Sequence, residues 1–341
     1  TGYLDRATLV MDRLMQRVGL PGKAFVPMLS AHACAIPAIM STRVIDDRRD
    51  RLATILVLPL MGCSARVPVY AMVIALMFGS QPLLAAVVFT GAYFLGIVAA
   101  LAMAWLFRRT ILPGKTQPLV IELPDYRRPS LRNALLLTYD RSAVFVKNAG
   151  TTILMITIVL WALATYPKTT IDSLSTEKQA EVVALEQAGD DAGAEALLDQ
   201  YALERSFVGQ AGKAIQPVFE PLGFDWKMSV GVVTSFAARE VIVSTLAILY
   251  GLGEEGEVDA LTERLAASTH PDGTPVFTTA AALALLVFYV LAMQCLPTQV
   301  VTRRETGSWK WAALQFGYMT VLAYTAALVT YQTAAALGWA S

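Results

Sequence analysis

Between Phe25 and Tyr70 two apolar segments are each broken by proline and small residues, and each break holds a cysteine. Cys34 lies three residues before Pro37, and Cys63 lies between Pro59 and Pro68. A short loop with four arginines (Arg43, Arg48, Arg49, Arg51) separates the two segments. Proline removes a backbone donor and clashes with the preceding turn, so neither segment reads as a smooth helix. In hydrocarbon an opened turn leaves polar backbone groups unsatisfied, and it is tolerated only where protein or a watery cavity surrounds it. A soft ligand atom beside an opened helix is what an ion path needs.

Composition sets the solvent. Of 341 residues 55% are hydrophobic and 16% charged, against roughly 45–50% and 25% in soluble domains. The chain is therefore expected to cross a membrane several times, as an all-α polytopic protein. Lys+Arg and Asp+Glu both total 27, and nothing suggests nucleic-acid binding. The three cysteines all fall in apolar segments and form no secreted disulfide framework. The chain opens on Thr1 with no signal-peptide pattern, and reads as part of a longer polypeptide.

Residues 1–23 mix Leu4, Leu9, Met11, Leu14, Met15 and Val18 with arginines, the pattern of an amphipathic helix lying at the membrane surface. Seven apolar segments follow, at 24–42, 51–78, 82–107, 146–165, 228–250, 276–302 and 309–338. A simple span needs about 20 apolar residues, and basic flanks sort to the cytoplasm. Residues 1–23 and 43–51 carry four Lys or Arg each, 108–147 carry eight, and 79–81 carry none. If all seven segments crossed, the two basic stretches around 24–42 would lie on opposite sides. Segment 228–250 raises the same conflict on the other face. Both are therefore expected to be re-entrant hairpins, entering from opposite sides, with five spans around them.

A faint inverted repeat agrees. Met61-Gly62-Cys63 precedes Pro68 and Met293-Gln294-Cys295 precedes Pro297, each following a hairpin segment that ends in Ser-Thr. Inverted repeats with broken helices meeting near the midplane are a recurring transporter plan. The expected organisation is a surface helix (1–23), a first repeat (24–107), a basic cytoplasmic connector (108–145), a span (146–165), an acidic outer loop (166–227) with helices near 175–188 and 193–206, and a second repeat (228–338).

Ionisable groups at membrane depth are few: Arg66, Arg239, Glu240 and His32. Such charges are costly and normally face a cavity or a partner. Glu240 reads either as a cation ligand or as half of a structural pair. A cysteine alone is more often a small buried hydrophobe. Three beside helix breakers, two of them in the Met-x-Cys repeat, point instead to metal passage through Cys34, Cys63 and Cys295. Thiolate sulfur suits Fe(II), Zn(II) and Cu(I) better than Mg or Ca, and transit requires weak successive sites. His32 is a possible fourth ligand, and Met61 and Met293 are softer candidates. With two histidines, no H-E-x-x-H, no G-x-S-x-G and no phosphate loop, no catalytic set is present.

The stretches GYLDRATLVMDRLM, GLPGKAFVPML, ACAIPAIMSTR, DRLATILVLPLMGCSARVPVY, IELPDYRRPSLRN, GKAIQPVFEPLGFDW, SFAAREVIVSTL and RRETGSWKW together resemble the membrane domain of the ferrous iron transport protein B family. The resemblance implies two inverted "Gate" repeats in the bacterial inner membrane and import of Fe(II) as substrate. It further implies a G-protein domain ahead of Thr1, to which GTP and Mg would belong, and small cytoplasmic Feo accessory proteins as partners beside the lipid bilayer. A homo-oligomer is also open. The family's motif cysteines fall on Cys34, Cys63 and Cys295, and its acidic Gate residue on Glu240. Ala33-Cys34-Ala35 lacks the family's glycine and asparagine, and His32 stands where it could replace the lost amide ligand. The other readings left open are a carrier of another divalent metal or a nucleoside-like solute, and a non-transporting membrane scaffold or sensor.

Overall fold

The computed structural model describes residues 3–79, 81–114, 130–168, 174–187, 191–236, 238–252, 258–268, 275–293 and 295–339. Among the described residues there is no β-strand, and the elements are helices joined by turns. The order begins α1 (Tyr3–Arg17), α2 (Phe25–Ala31), α3 (Ala35–Ser41), α4 (Arg48–Val57), α5 (Val67–Phe78) and α6 (Pro82–Arg109). Next come α7 (Leu131–Phe145), α8 (Thr151–Thr165), α9 (Thr176–Gln187), α10 (Asp191–Arg205) and α11 (Phe207–Phe219). The remainder are α12 (Trp226–Thr234), α13 (Val241–Leu249), α14 (Val258–Ala267), α15 (Thr279–Leu291), α16 (Leu296–Thr306) and α17 (Trp309–Ala336).

Four helical runs, Arg48–Phe78, Pro82–Arg109, Thr279–Thr306 and Trp309–Ala336, are 28 to 31 residues long and apolar enough to cross a membrane. A helix rises about 1.5 Å per residue, so the two unbroken ones, Pro82–Arg109 and Trp309–Ala336, exceed a hydrocarbon core of about 30 Å. Ile153–Thr165 is a shorter apolar helix of the same character. This is an all-α polytopic membrane protein. Leu83, Val87, Phe94 and Val98 on α6, and Leu154, Ile158 and Val159 on α8, are exposed, as lipid-facing side chains must be.

The breaks follow local chemistry. Residues 25–41 form two seven-residue helices rather than one, and 226–249 form two nine-residue helices, α12 and α13. The run 48–78 is interrupted by a tight turn at Leu58–Leu60, extended residues, and a second tight turn at Ser64–Arg66. Intact starts are capped in the usual way: Asp47 accepts from the Arg49 and Asp50 amides, Ser206 from Gly209, and Asp225 from Met228. The basic connector ends in α7, which runs through a π-turn at Val146–Gly150 straight into α8.

The chain divides into two compact units. The first is Thr1–Ser64, Gly91–Met155 and Val290–Val321; the second is Ala65–Thr90, Ile156–Tyr289 and Leu322–Ser341. In the first, the hairpin α2/α3 packs on α1, on the Leu58–Leu60 turn and on α16. Glu305 at the end of α16 is nearly covered and pairs with Arg43, just past the hairpin, and with Arg51 on α4. In the second, α11 lies on α12 at backbone distance: a Cβ on Gly212 would come within 2.8 Å of the Val230 Cα. The pair α9/α10 has its own apolar seam of Leu174, Val182, Ala194 and Tyr201.

Candidate functional site

Each proline in a broken segment deprives one carbonyl, four residues earlier, of its helical donor. For Pro37 that carbonyl is Ala33, next to Cys34. It is filled from the other break: the Ser64 hydroxyl donates at 2.8 Å and the Ser64 amide at 3.4 Å. One residue back, the His32 ring Nδ1 lies 3.0 Å from the Gly62 carbonyl, next to Cys63. The break that carries Cys34 and the break that carries Cys63 are thus hydrogen-bonded to one another on both flanks of the cysteines.

The second contact also sets a donor. A carbonyl oxygen only accepts, so Nδ1 carries a hydrogen there, and Nε2 is the ring nitrogen left for another partner. Metal-binding histidines are commonly oriented in this manner. The ring is held by Tyr93, stacked at 6.2 Å between centroids with 28° between planes. Tyr93 in turn sits where a side chain on Gly62 would be, since a Cβ there would fall 2.8 Å from its ring carbons. Three residues on, Gly96 lets α6 reach the Leu60 carbonyl, which would lie 2.9 Å from a Cβ at that position.

The third cysteine repeats the local geometry of the first. Cys34 precedes α3 with φ −157° and ψ 135°, and Cys295 precedes α16 with φ −155° and ψ 93°. Each is the extended residue from which the next helix starts. The two helices that they start, α3 and α16, pack against each other. All three cysteines are half-buried and none is in a disulfide. Met61 and Met293 are buried.

The first unit therefore gathers His32, Cys34, Cys63 and Cys295 on mutually packed or bonded elements. They do not form a closed cage: among the described residues no three His, Cys, Asp or Glu side chains group as a metal site. Glu240 belongs to the second unit, where it is exposed at the start of α13 without a side-chain capping bond. Arg239 and Arg66 are buried in that unit. Sequence reasoning missed Ser64 and Tyr93. The first could have been sought from Pro37, which announces an unserved carbonyl without saying what serves it.

The family model described as nucleoside recognition, named Gate, matches residues 1–77 and 146–309. The chain belongs to the Gate family. A second model, ferrous iron transport protein B C terminus, matches residues 89–141, between the two Gate stretches. An Fe(2+) transporter FeoB of Leptospira interrogans is 42% identical over 337 residues, covering 97% of this chain and 46% of that protein. An Fe(2+) transport protein A/Fe(2+) transporter FeoB fusion protein of Porphyromonas gingivalis is 37% identical over 97% of this chain and 40% of its own length. An Fe(2+) transporter FeoB of Helicobacter pylori is 35% identical over 97% and 51%. This Gate chain is thus the membrane part of a ferrous iron transport protein B family member, and it spans about half the length of the curated relatives it matches. No solved structure matches it significantly.

Proposed function

We infer that this chain carries Fe(II) across the bacterial inner membrane along a path touched in succession by Cys34, Cys63 and Cys295. His32 and Glu240 serve as harder contacts. The observation that carries this reading is the bonded pair of breaks: His32 to Gly62 and Ser64 to Ala33 join the opened backbone that carries Cys34 to the opened backbone that carries Cys63. Dispersed donors suit passage better than a cage, because an ion must leave each site as readily as it enters. Sulfur and imidazole favour iron, zinc or copper over magnesium and calcium. Selection of Fe(II) among these rests on geometry and supply.

In the whole protein a GTP-binding domain, with its Mg, would gate the path. A relative that joins Fe(2+) transport protein A to the transporter in one chain supports a small accessory partner. The test is uptake of radiolabelled Fe(II) into proteoliposomes by Cys34→Ser and Cys63→Ser variants. Uptake should fall while membrane insertion is unchanged, and full uptake in both would remove the cysteine path.

A second reading, transport of a nucleoside-like solute, is favoured by one feature of the second unit. A cleft of about 400 Å³ there is lined by Trp161 with Thr157, Thr234, Ser244 and Thr245 among aliphatic residues. Competition of uptake by nucleosides, rather than by Zn(II) or Mn(II), would select it.

A further inference from the structure

Pro59 leaves the carbonyl of Ile55 without its helical donor, as Pro37 does for Ala33. In hydrocarbon that oxygen needs a partner, and it finds one about 260 residues away. Gln315 of α17, with no exposed surface, donates from Nε2 to the Ile55 carbonyl at 2.8 Å and to the Leu56 carbonyl at 3.1 Å. Tyr318, one turn further along α17, also donates to Leu56, at 2.6 Å. The other end of the same amide faces α16: Oε1 accepts from the Thr302 hydroxyl at 2.9 Å and from Gln299 Nε2 at 3.4 Å. An amide has two hydrogens to give and two lone pairs to fill. In Gln315 all four are used, two on the interrupted run that leads to Cys63 and two on the helix that starts at Cys295.

We propose that Gln315 is the positioning residue of the cation path, setting the separation of Cys63 and Cys295 through this single buried amide. The proposal rests on the transport reading for its consequence but not for its geometry. Gln315 touches no cation. It joins the run that leads to Cys63 to the helix that Cys295 precedes, and a buried, fully satisfied polar network of this sort specifies one arrangement where apolar packing would allow several.

These 341 residues hold three cysteines, so within them a Cys34→Ser background leaves one pair for nitroxide labels, Cys63 and Cys295. Pulsed EPR should give a single narrow distance in that background. Gln315→Leu, which keeps the bulk and loses all four bonds, should shift or broaden it. Thr302→Val, which loses only one link to α16, should do so to a smaller extent and provides the answer if Gln315→Leu does not insert. In proteoliposomes with all cysteines restored, Gln315→Leu should raise half-saturating Fe(II) about tenfold, the scale expected when buried polar groups lose their partners. Gln315→Glu should not restore the narrow distance, because a carboxylate has no hydrogen for Ile55 or Leu56. An unchanged distance distribution in Gln315→Leu and Thr302→Val overturns the proposal. Absence of Fe(II) flux in the unsubstituted chain would instead overturn the transport reading and leave the distance measurement to decide the role of Gln315.

Discussion

Replacing Glu305 by Gln tests how firmly the first hairpin is moored to α16. Arg43 donates to both oxygens of Glu305, at 2.6 to 3.1 Å, while Arg51 pairs with one oxygen and also reaches the Glu305 carbonyl at 3.3 Å. The carboxylate side chain is 5% exposed, that of Arg51 28% and that of Arg43 64%. The two arms therefore contribute unequally. The Arg43 arm, largely in solvent, is worth what a surface pair is worth, about 0.5 kcal/mol. The Arg51 arm is a charge-assisted bond to a covered group, about 1.5 kcal/mol.

Together they amount to about 2 kcal/mol, which corresponds to about a thirtyfold change in a local opening equilibrium. Hydrogen exchange measured over residues 36–45 and 299–306 should accelerate by that factor in Glu305→Gln. Amides in the middle of α17 should be unaffected. Arg43→Gln alone should give about twofold and Arg51→Gln about tenfold, in line with those unequal shares. A change below threefold in Glu305→Gln, or an equal acceleration in α17, would refute the assignment of the hairpin's mooring to this carboxylate.

Gly62→Ala should force Tyr93 off His32, since a methyl group there meets the ring at 2.8 Å. Overpacking of this kind costs about 1–3 kcal/mol, so the melting temperature in detergent should fall, and adding Tyr93→Ala should recover part of it. On α10, burial works to raise the Glu204 carboxyl, but hydrogen bonds from Lys213 and Lys178 outweigh it and hold the group below the usual glutamate range. A depressed carboxyl stabilises the fold at neutral pH and ceases to do so as pH falls through its lowered value. Protease cleavage within 176–205 should therefore rise on acidification below about pH 4, and should be equal at both pH values in Glu204→Gln. Thr245→Val removes the 2.9 Å hydroxyl bond to Thr234 that joins α13 to α12. It should weaken the second hairpin by about 1 kcal/mol, read as faster exchange in 241–249 alone.

Much of the architecture was legible because proline and small residues in an apolar run have few meanings. Pro37, Pro59 and Pro297 marked where helices open, and the structure breaks the chain beside each cysteine as their spacing implies. The outer-loop helices near 175–188 and 193–206 were readable from polarity and a glycine-rich gap, and appear as Thr176–Gln187 and Asp191–Arg205. What was not legible is who completes each opened turn. Proline identifies the deprived carbonyl by counting back four residues, yet its donor can be Ser64 for Ala33, or Gln315 for Ile55, and no local rule points across such distances. The continuity of α7 into α8 was equally hidden, because the basic, proline-rich stretch before it reads as loop and a π-turn has no sequence signature. That Cys295 groups with the first unit and Arg66 with the second could not be read from charge counts at all.

The bonds between the two breaks also take something away. With the carbonyls of Ala33 and Gly62 already engaged by Ser64 and His32, two oxygens that an opened backbone could have turned toward an ion are spoken for. Calcium and magnesium are hard cations that take oxygen ligands, and these two carbonyls are already engaged. If the proposed path runs there, an ion would be screened by what it is refused as much as by what it is offered, and one content with sulfur and nitrogen would lose least by shedding its water.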